Sequence, residues 1–298
     1  MKRVLVLLNA RAGTLIDAGT DSIVAQIEAT LKPRCESLDI RLLQPRDLPD
    51  AIADAARGPH DTVIVGGGDG SVSAAVAAFA GGEKLLGVLP FGTMNLLARD
   101  LGMPSDPREA VAALWTVAPR RIDLAEVNGR PFHTLSGLGF FSQMARAREE
   151  TRGHPLGRFV GFVLAWFRAM FRTAPFTIDI VLDGRREQVT ALAMLVTNNR
   201  FGSDWHRGRL DEGILEIHIV EDQGTLTKLK ASAAMLTGAW RTEQEIRSVV
   251  ASNLTISKRR RHVWASTDGE LMRERAPLRY RILPGALTAL GVNPASRE

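Results

Sequence analysis

The segment from Thr62 to Met103 constrains the fold more than any other part of the chain, because one local pattern occurs twice in it. A β-branched run, Thr62–Val65, leads into three consecutive glycines and an alanine-rich helical stretch. A second apolar run, Leu85–Leu89, leads into Pro90-Phe91-Gly92 and another helical stretch. Short apolar runs bounded by turn residues are typical of buried parallel strands. The segment therefore predicts two strand–turn–helix units whose strands end at the same edge of a parallel sheet.

The turns in these two units are suited to a phosphate group. Glycines such as Gly66–Gly68 allow a ligand to approach the backbone closely, and helix N-termini attract anions. We predict Ser71 or Asp69 as the N-cap of the first helix, and Thr93 as the cap of a second helix that continues through Arg99. Taken alone, each unit is explained about equally well by a tight turn that binds no ligand and by a phosphate site. The shared edge of the sheet favours the phosphate, although the chain has no G-x-x-x-x-G-K-[ST] loop.

The residues of the two loops resemble a known family. Gly67-Gly68-Asp69-Gly70-Ser71, followed by Pro90-x-Gly92-Thr93-x-Asn95, is similar to the paired signature of the diacylglycerol kinase catalytic-domain family, which includes soluble bacterial lipid kinases and sphingosine kinases. Ser71 stands where that family usually has Thr, and Leu96 where it usually has Asp. The resemblance implies that nine residues contact ATP: Asn9, Gly66, Gly67, Gly68, Asp69, Gly70, Ser71, Thr93 and Asn95.

The first part of the chain alternates between predicted strands and helices. Val4–Leu8 reads as the first buried strand, and a helix is expected to start at Thr14 or Asp21 and to continue to about Leu31. This alternation continues through the two glycine turns and predicts a doubly wound sheet. A further helix is predicted from Asp106 to Val117. We expect an N-terminal doubly wound α/β nucleotide-binding domain over residues 1–120.

After about Arg120 the pattern changes to short β runs, and Asn128-Gly129 and Asp183-Gly184 are typical of hairpin turns. We expect a C-terminal, mostly antiparallel β-sandwich domain over residues 121–298, with its last segment free to return to the first domain. The predicted strands are Arg121–Val127, Pro131–Leu138, Phe176–Leu182, Gln188–Thr197, Ile214–Val220, Asn253–Ser257, Val263–Ser266 and Arg279–Leu283, with helices inserted at 156–172 and 225–242.

Candidate catalytic carboxylates lie in this second part. Phosphoryl transfer needs a carboxylate that orients or deprotonates the attacking hydroxyl. By its residues alone, Thr267-Asp268-Gly269-Glu270 is a hairpin turn. It resembles the family's Asp-Gly-Glu motif, which implies that Glu270 is the general base and Asp268 its helper. Asp123 matches an acidic position of the family. A functional carboxylate and an exposed strand residue are equally good interpretations of Asp123.

A second acidic segment suggests a metal site. The segment Arg209–Glu216 resembles a family segment associated with a magnesium ion. The resemblance implies that Mg²⁺ is bound by the Glu212 side chain and by the backbone carbonyls of Arg209 and Ile214. Oxygen ligands suit this hard cation. Glu212 stands where the family usually has the shorter Asp.

Composition limits the compartment and the partners. The chain contains one cysteine, Cys35, which excludes an internal disulfide and fits a reducing compartment. The net charge of +5 is compatible with an anionic membrane or a nucleic acid. The basic run Lys258–His262 is most simply a solvated hairpin loop, and attraction to anionic lipid is the second interpretation. Nucleic-acid binding comes third, because no aromatic stacking platform accompanies the run, and we expect no nucleic-acid partner. We expect a cytoplasmic protein in peripheral contact with anionic membrane, and a homodimer is compatible with the sequence.

The most apolar helix is predicted to lie on the β domain. The uncharged stretch Phe159–Phe167 is far shorter than the roughly 20 residues that span a bilayer. Packing on the β domain explains most of its residues. For a lipid substrate, an exposed part near Phe162, Trp166 and Met170 would serve as an entry portal.

The resemblance implies an ATP- and Mg²⁺-dependent lipid kinase that phosphorylates a hydroxyl of diacylglycerol or a related membrane lipid. Two alternatives remain open. One is a kinase of a soluble substrate such as NAD, because NAD kinases share a glycine-aspartate loop and a two-domain plan. The other is a non-catalytic lipid- or nucleotide-binding regulator, which the departures at Ala10, Leu96 and Glu212 allow.

Overall fold

The computed structural model describes residues 2–150, 158–202, 206–221, 246–258 and 260–292. The chain divides into two compact units. Unit 1 contains Met1–Leu124 and Pro284–Glu298, and unit 2 contains Ala125–Leu283. The C-terminal segment thus belongs to the same unit as the N-terminus.

Unit 1 is built on a parallel sheet that follows the predicted alternation of strands and helices. The sheet has the order β15-β4-β3-β1-β2, and the neighbouring strands run parallel. Every residue of β3 is buried, as expected for a strand covered on both faces. The strands are β1 (Arg3–Asn9), β2 (Ser37–Leu43), β3 (Thr62–Gly67), β4 (Leu85–Pro90) and the last part of β15 (Leu278–Val292). The helices are α1 (Gly13–Asp17), α2 (Thr20–Leu31), α3 (Leu48–Arg57), α4 (Asp69–Phe79), α5 (Leu96–Asp100) and α6 (Pro107–Ala113).

Of the two starts predicted for the helix that ends at Leu31, Asp21 is confirmed within one residue, because α2 begins at Thr20. The alternative start at Thr14 was wrong, because Gly19, with a φ of +86°, separates α1 from α2. A second helix prediction in unit 1 was wrong in its end. The helix expected to reach Val117 ends at Ala113, because Val117 already begins β5 (Val117–Val127). The start of that helix is well defined, since the Asp106 side chain accepts hydrogen bonds from two backbone N–H groups of its first turn.

Unit 2 is built from antiparallel strands. They pair in the order β14-β13-β7-β9-β8-β12-β15, while β10 pairs with β9 and β11 with β10. The strands of unit 2 are the end of β5, β6 (Arg130–Phe132), β7 (Leu135–Gly139), β8 (Phe176–Leu182), β9 (Arg185–Asn198), β10 (Leu215–Glu221), β11 (Ile246–Ala251), β12 (Asn253–Ser257), β13 (His262–Thr267), β14 (Glu270–Arg275) and the first part of β15. Its helices are α7 (Phe140–Glu150) and α8 (Arg158–Arg172).

The hairpin predictions in unit 2 are confirmed, and one strand prediction was wrong. Asn128-Gly129 and Asp183-Gly184 both have positive φ at each residue, as two-residue hairpin turns require. The strand expected over Pro131–Leu138 is two strands, β6 and β7, interrupted at His133-Thr134. No sequence pattern predicted α7, β11 or β14. The helix expected at 225–242 lies outside the described residues.

The helix α8 exposes different aromatic residues from those expected. Trp166 and Met170 are half-buried, and the Trp166 ring packs edge-on against Phe167 with 4.9 Å between ring centroids. Phe167 is 45% exposed and Phe171 is 80% exposed, so these two residues form the open aromatic face. The side chain of Phe162 lies outside the described residues. Among the helices that the structure describes, none has the length and apolar character needed to cross a bilayer.

Candidate active site

The first glycine loop lies where β3 ends and α4 begins. A Cβ on Gly67 would come within 2.6 Å of the Ser71 Oγ, so this position has room only for glycine. Across the loop, the Asn9 side-chain amide at the end of β1 donates a hydrogen bond to the Ser71 Oγ at 3.3 Å. The N-cap of α4 is Gly68 and no side chain caps it, so the prediction of Ser71 or Asp69 as the N-cap was wrong.

The second loop lies directly against the first. A Cβ on Gly92 would lie 2.5 Å from the Gly68 Cα, so the two backbones come this close only because residue 92 is glycine. Asn95, which is buried and has a φ of +48°, closes the second loop on itself. Its side chain accepts a hydrogen bond from the Gly92 N–H at 2.9 Å and donates one to the Gly92 carbonyl at 3.0 Å. Asn95 is also the N-cap of α5, which ends at Asp100, so the predicted cap at Thr93 was wrong.

The carboxylate of Asp69 joins the two loops. Its two oxygens accept hydrogen bonds from the Asn95 N–H at 3.2 Å and from the Leu96 N–H at 3.0 Å. Hydrogen bonds to an ionised acceptor are stronger than neutral ones. The bond to Leu96 uses its backbone, so the departure from the family's usual Asp at this position leaves the contact intact. Asp69 therefore acts in this structure as a positioning residue between the loops.

Thr14 supports the second loop from α1, and the sequence analysis missed it. Its hydroxyl donates to the Phe91 carbonyl at 2.8 Å and lies 3.1 Å from the Gly92 carbonyl. Its distance in the sequence from that loop gives no local signal of this contact. The site in unit 1 is consequently made mainly of fixed backbone.

This arrangement favours binding of an anion at the start of α4. The first N–H groups of an α-helix have no acceptor within the helix, and α4 begins where Gly68 and Gly92 leave no side-chain bulk. The helix dipole adds partial positive charge at the same end. The loops thus have the chemistry of a phosphate site.

The second candidate region is the turn between β13 and β14 in unit 2. Asp268 and Gly269 have φ values of +47° and +84°, so the hairpin interpretation of this turn is confirmed. The buried Asp268 carboxylate accepts from the backbone N–H groups of His133 at 2.9 Å and Thr134 at 2.9 Å, and from the Thr134 hydroxyl at 2.5 Å. A third N–H, from Leu135, lies at 3.2 Å. These contacts explain the break between β6 and β7, because the N–H groups there turn toward Asp268.

Glu270 differs from Asp268 in its surroundings. It is exposed, begins β14 and lies opposite Thr267 in the strand pairing. Within the part of the chain that the structure describes, its carboxylate has no hydrogen-bonding or ionic partner. Below it, the Ser136 hydroxyl bridges Thr267 and Tyr280 at 3.0 and 3.1 Å, and burial raises the pKa of the Tyr280 phenol above its usual range. Glu270 is therefore an accessible carboxylate on a rigid support.

A buried polar group that the sequence analysis missed supports this turn. Arg207 is 2% exposed, and its guanidinium donates to the carbonyls of His133 at 2.5 Å and Asn198 at 3.2 Å. The Arg207 guanidinium also lies over the Phe201 ring, 5.2 Å from its centroid. The His133 ring, in turn, lies 3.5 Å from the Asp268 carboxylate. A lone arginine in a glycine-containing segment carries no sequence signal of burial.

Two of the three proposed ligands of Mg²⁺ contact other groups of the chain. The two Glu212 oxygens accept from the Arg200 N–H at 3.0 Å and from the Arg200 guanidinium at 3.2 Å. The Ile214 carbonyl accepts from the Asn199 N–H at 3.0 Å. Among the residues with described positions, no cluster of three or more His, Cys, Asp or Glu side chains could hold a metal ion. In this arrangement a guanidinium holds the Glu212 carboxylate, so Mg²⁺ would have to displace Arg200 to bind the Arg209–Ile214 segment.

Asp123 has a structural contact within unit 1. It is 3% exposed, so the interpretation as an exposed strand residue was wrong. One of its oxygens accepts from the Gly285 N–H at 2.8 Å, which ties β5 to β15. Gly285 has a φ of +56° and is therefore a position that favours glycine.

The parallel sheet with two joined glycine loops and the antiparallel unit with its Asp-Gly-Glu turn define a two-unit α/β protein with a candidate phosphate site. Sequence comparison identifies the family. The diacylglycerol kinase catalytic domain matches residues 3–127, and the YegS C-terminal NAD kinase beta sandwich-like domain matches residues 141–291. The chain belongs to the diacylglycerol kinase catalytic-domain family, with a YegS-type C-terminal domain. The predicted fold class, α/β followed by a β-sandwich, is confirmed.

Relatives agree with this assignment, and a solved structure shares the fold. A protein of Pseudomonas fluorescens named "Probable lipid kinase YegS-like" is 30% identical over 241 residues, which cover 75% of this chain and 79% of the relative. A diacylglycerol kinase of Bacillus subtilis is 25% identical over 218 residues, covering 71% and 72% of the two chains. The crystal structure of a diacylglycerol kinase from Bacillus anthracis has a TM-score of 0.73 and 21% identity, with 98% of this chain and 97% of that chain covered. At this identity the last comparison supports the fold alone.

Proposed function

We propose that this protein is an ATP-dependent lipid kinase that transfers the γ-phosphate to a hydroxyl of diacylglycerol or a related lipid. The observation that carries the proposal is the pair of glycine loops joined by Asp69 at the carboxyl edge of the parallel sheet. Ligands of open α/β sheets bind at this edge. Membership in a kinase family gives the bound phosphate a chemical role.

In this proposal, unit 1 holds the nucleotide. The start of α4 and the Gly68–Gly70 backbone would bind the phosphates, and the side chains of Asn9, Ser71 and Thr93 would contact ATP. Gly66 and Gly67, which are buried at the end of β3, would shape the loop. Asp69 and Asn95 would act through the loop geometry, because both are engaged with backbone groups. A preformed loop loses little entropy when the ligand binds.

Unit 2 would supply the group that activates the acceptor. Glu270 would accept the proton of the lipid hydroxyl. At the same time the hydroxyl oxygen would form a bond to the γ-phosphorus, and the bond from the γ-phosphorus to the β,γ-bridging oxygen would break, releasing ADP. Asp268 would keep the turn in place rather than exchange protons, since its carboxylate already accepts four hydrogen bonds. Mg²⁺ would arrive with the triphosphate and offset its charge.

The acceptor is tested with purified protein, γ-labelled ATP and four acceptors in mixed micelles: diacylglycerol, phosphatidylglycerol, a sphingoid base and ceramide. We expect label in a lipid product, with diacylglycerol or a close relative preferred. Glu83→Gln, which removes an exposed carboxylate far along the chain, serves as the charge-matched control for Glu270→Gln. Absence of labelled product with all four lipids would overturn the lipid-kinase proposal.

A soluble acceptor is the second candidate, and the description of the C-terminal domain as NAD kinase-like favours testing it. NAD is included in the same assay without detergent. Transfer to NAD that does not need micelles would replace the lipid proposal. Nucleotide binding without turnover on any acceptor would instead support the non-catalytic regulator.

A further inference from the structure

Unit 2 contains a pocket of about 440 Å³ that the proposed reaction does not use. It lies between the C-terminal end of α8, the start of α7 and the strands β7, β8, β12 and β13. Its volume is in the range of small-ligand sites. Neither Asp268 nor Glu270 lines it.

Among the described residues, the pocket is lined by basic side chains and by no carboxylate. Arg172, Lys258, Arg260 and His262 reach it from α8 and from the connection between β12 and β13. Arg172 is already paired with Glu150 at 2.8 Å. Lys258 and Arg260 have no acidic partner among the residues that the structure describes. An unbalanced cluster of cations of this kind attracts an anion.

Lys258 is a partly buried cation beside a second cation, Arg260. Its ammonium lies 4.5 Å from the centroid of the Phe176 ring and is half-buried. Burial lowers the pKa of Lys258, and the neighbouring Arg260 lowers it further. A bound anion would offset both effects, because it stabilises the charged amine.

The rest of the described lining is partly polar and partly apolar. Hydroxyl and amide side chains line one part, from Ser142, Gln143, Thr173 and Thr177, and the apolar part includes Phe176, Ile178, Ile256 and Trp264, of which Trp264 is 43% exposed. The open aromatic face of α8 ends at Phe171, next to Arg172. Apolar surface beside unpaired cations suits an amphiphile with an anionic head, whereas a small inorganic anion would leave the apolar walls unused.

The basic side chains are distant from the candidate base. Thr267 lies opposite Glu270, and β13 runs back from Thr267 to His262, a span of about 17 Å at the usual strand rise. In a glycerophospholipid, the headgroup phosphate lies within a few bonds of the glycerol and headgroup hydroxyls. An anion bound here and a hydroxyl at Glu270 therefore belong to different molecules.

We propose that this pocket binds the phosphate-bearing headgroup and adjoining chain of an anionic phospholipid that is separate from the phosphoryl acceptor. This inference goes beyond the proposed kinase function and holds for a lipid-binding protein of any activity. It assigns the headgroup to Lys258 and Arg260 and the chain to the wall formed by Phe176 and Trp264.

The test is calorimetric titration with dioctanoyl phosphatidate, dioctanoyl phosphatidylcholine and inorganic phosphate. We expect phosphatidate to bind most tightly, and the double variant Lys258→Met, Arg260→Gln to lose about 25-fold in affinity at roughly 1 kcal/mol per basic residue. Arg185→Gln, Arg186→Gln removes the same charge at the distant hairpin between β8 and β9 and should bind like the natural protein. Trp264→Gln should weaken phosphatidate but leave inorganic phosphate unchanged.

Each other outcome overturns the inference. Equal affinity for inorganic phosphate and phosphatidate would mean a small-anion site, and unchanged affinity in the double variant would remove the pocket from lipid binding. Thermal melting confirms folding, and Arg260→Gln alone, at an exposed position, replaces the double variant if that variant unfolds. Kinase activity on micellar diacylglycerol should survive in the double variant. The activity assay thus tests the kinase proposal, and the calorimetric titration tests lipid binding in the pocket.

Discussion

The loops of unit 1 and the Asp-Gly-Glu turn of unit 2 use a carboxylate in the same way but present different chemistry. Asp69 and Asp268 each accept backbone N–H groups from a neighbouring segment and fix a loop. The unit 1 loops then offer mainly backbone, whereas the unit 2 turn presents one exposed side chain, Glu270. Binding by backbone tolerates side-chain changes such as Leu96, while a role for Glu270 depends on a single group.

The largest expected effect tests that dependence on a single group. Glu270→Gln keeps the shape of the side chain but removes the base, so we expect lipid phosphorylation to fall about a hundredfold to ten-thousandfold. Nucleotide binding and the melting temperature should be unchanged, because Glu270 has no partner within the described residues. Activity is measured by γ-label transfer and binding by calorimetry. A variant that retains most of its transfer rate would assign the base to another residue.

The two clamping carboxylates can be compared by the same substitution. Asp268→Asn should destabilise the protein by about 3 kcal/mol. The amide nitrogen would face N–H and O–H donors whose hydrogen bonds the buried carboxylate now accepts. Asp69→Asn should cost about 1.5 kcal/mol, since Asp69 accepts only two backbone N–H groups. Urea unfolding measures both values. If Asp69→Asn were the more costly change, the hydrogen bonds of Asp69 would contribute more to stability than those of Asp268.

The close contact between the Gly68 and Gly92 backbones in unit 1 is tested by adding a methyl group at Gly92. Gly92→Ala would place a Cβ 2.5 Å from the Gly68 Cα and push the loops apart. We expect ATP affinity to fall about tenfold or more, since overpacking costs about 1–3 kcal/mol. Gly13→Ala is the matched control, because nothing lies within 4 Å of a Cβ at that position. Equal ATP affinity in the two variants would contradict a nucleotide site at these loops.

The smallest expected effect concerns divalent cations in unit 2. Without nucleotide, EDTA or Mg²⁺ should leave the melting temperature unchanged, because Arg200 already holds Glu212. Arg200→Met should lower stability by at most about 1 kcal/mol, as for other partly exposed ion pairs, and should make the melting temperature respond to Mg²⁺. Arg46→Met at an exposed position is the control. A Mg²⁺-dependent shift in the natural protein would restore the metal site at Glu212.

Local sequence patterns predicted much of the fold correctly. The alternating strands of unit 1 and the Asn-Gly and Asp-Gly hairpins of unit 2 follow from residue preferences that act over a few positions. Helix ends were predicted less well. Gly19 excludes the earlier of two predicted helix starts, and Asn95 rather than Thr93 caps α5, because the backbone conformation at a helix end depends on contacts with distant segments.

The sequence by itself determined the fold class, the position of the two glycine loops and the Asp-Gly-Glu turn, because each depends on short-range backbone preferences or on a contiguous motif. Only the tertiary structure decided that Asp69 clamps the second loop, that Arg207 is buried behind His133 and that Arg200 occupies Glu212. It also gathered Arg172, Lys258 and Trp264 around one pocket. The physical reason is that a charged side chain takes its role from the groups that folding brings within about 3 Å of it, and those groups are far apart in the sequence.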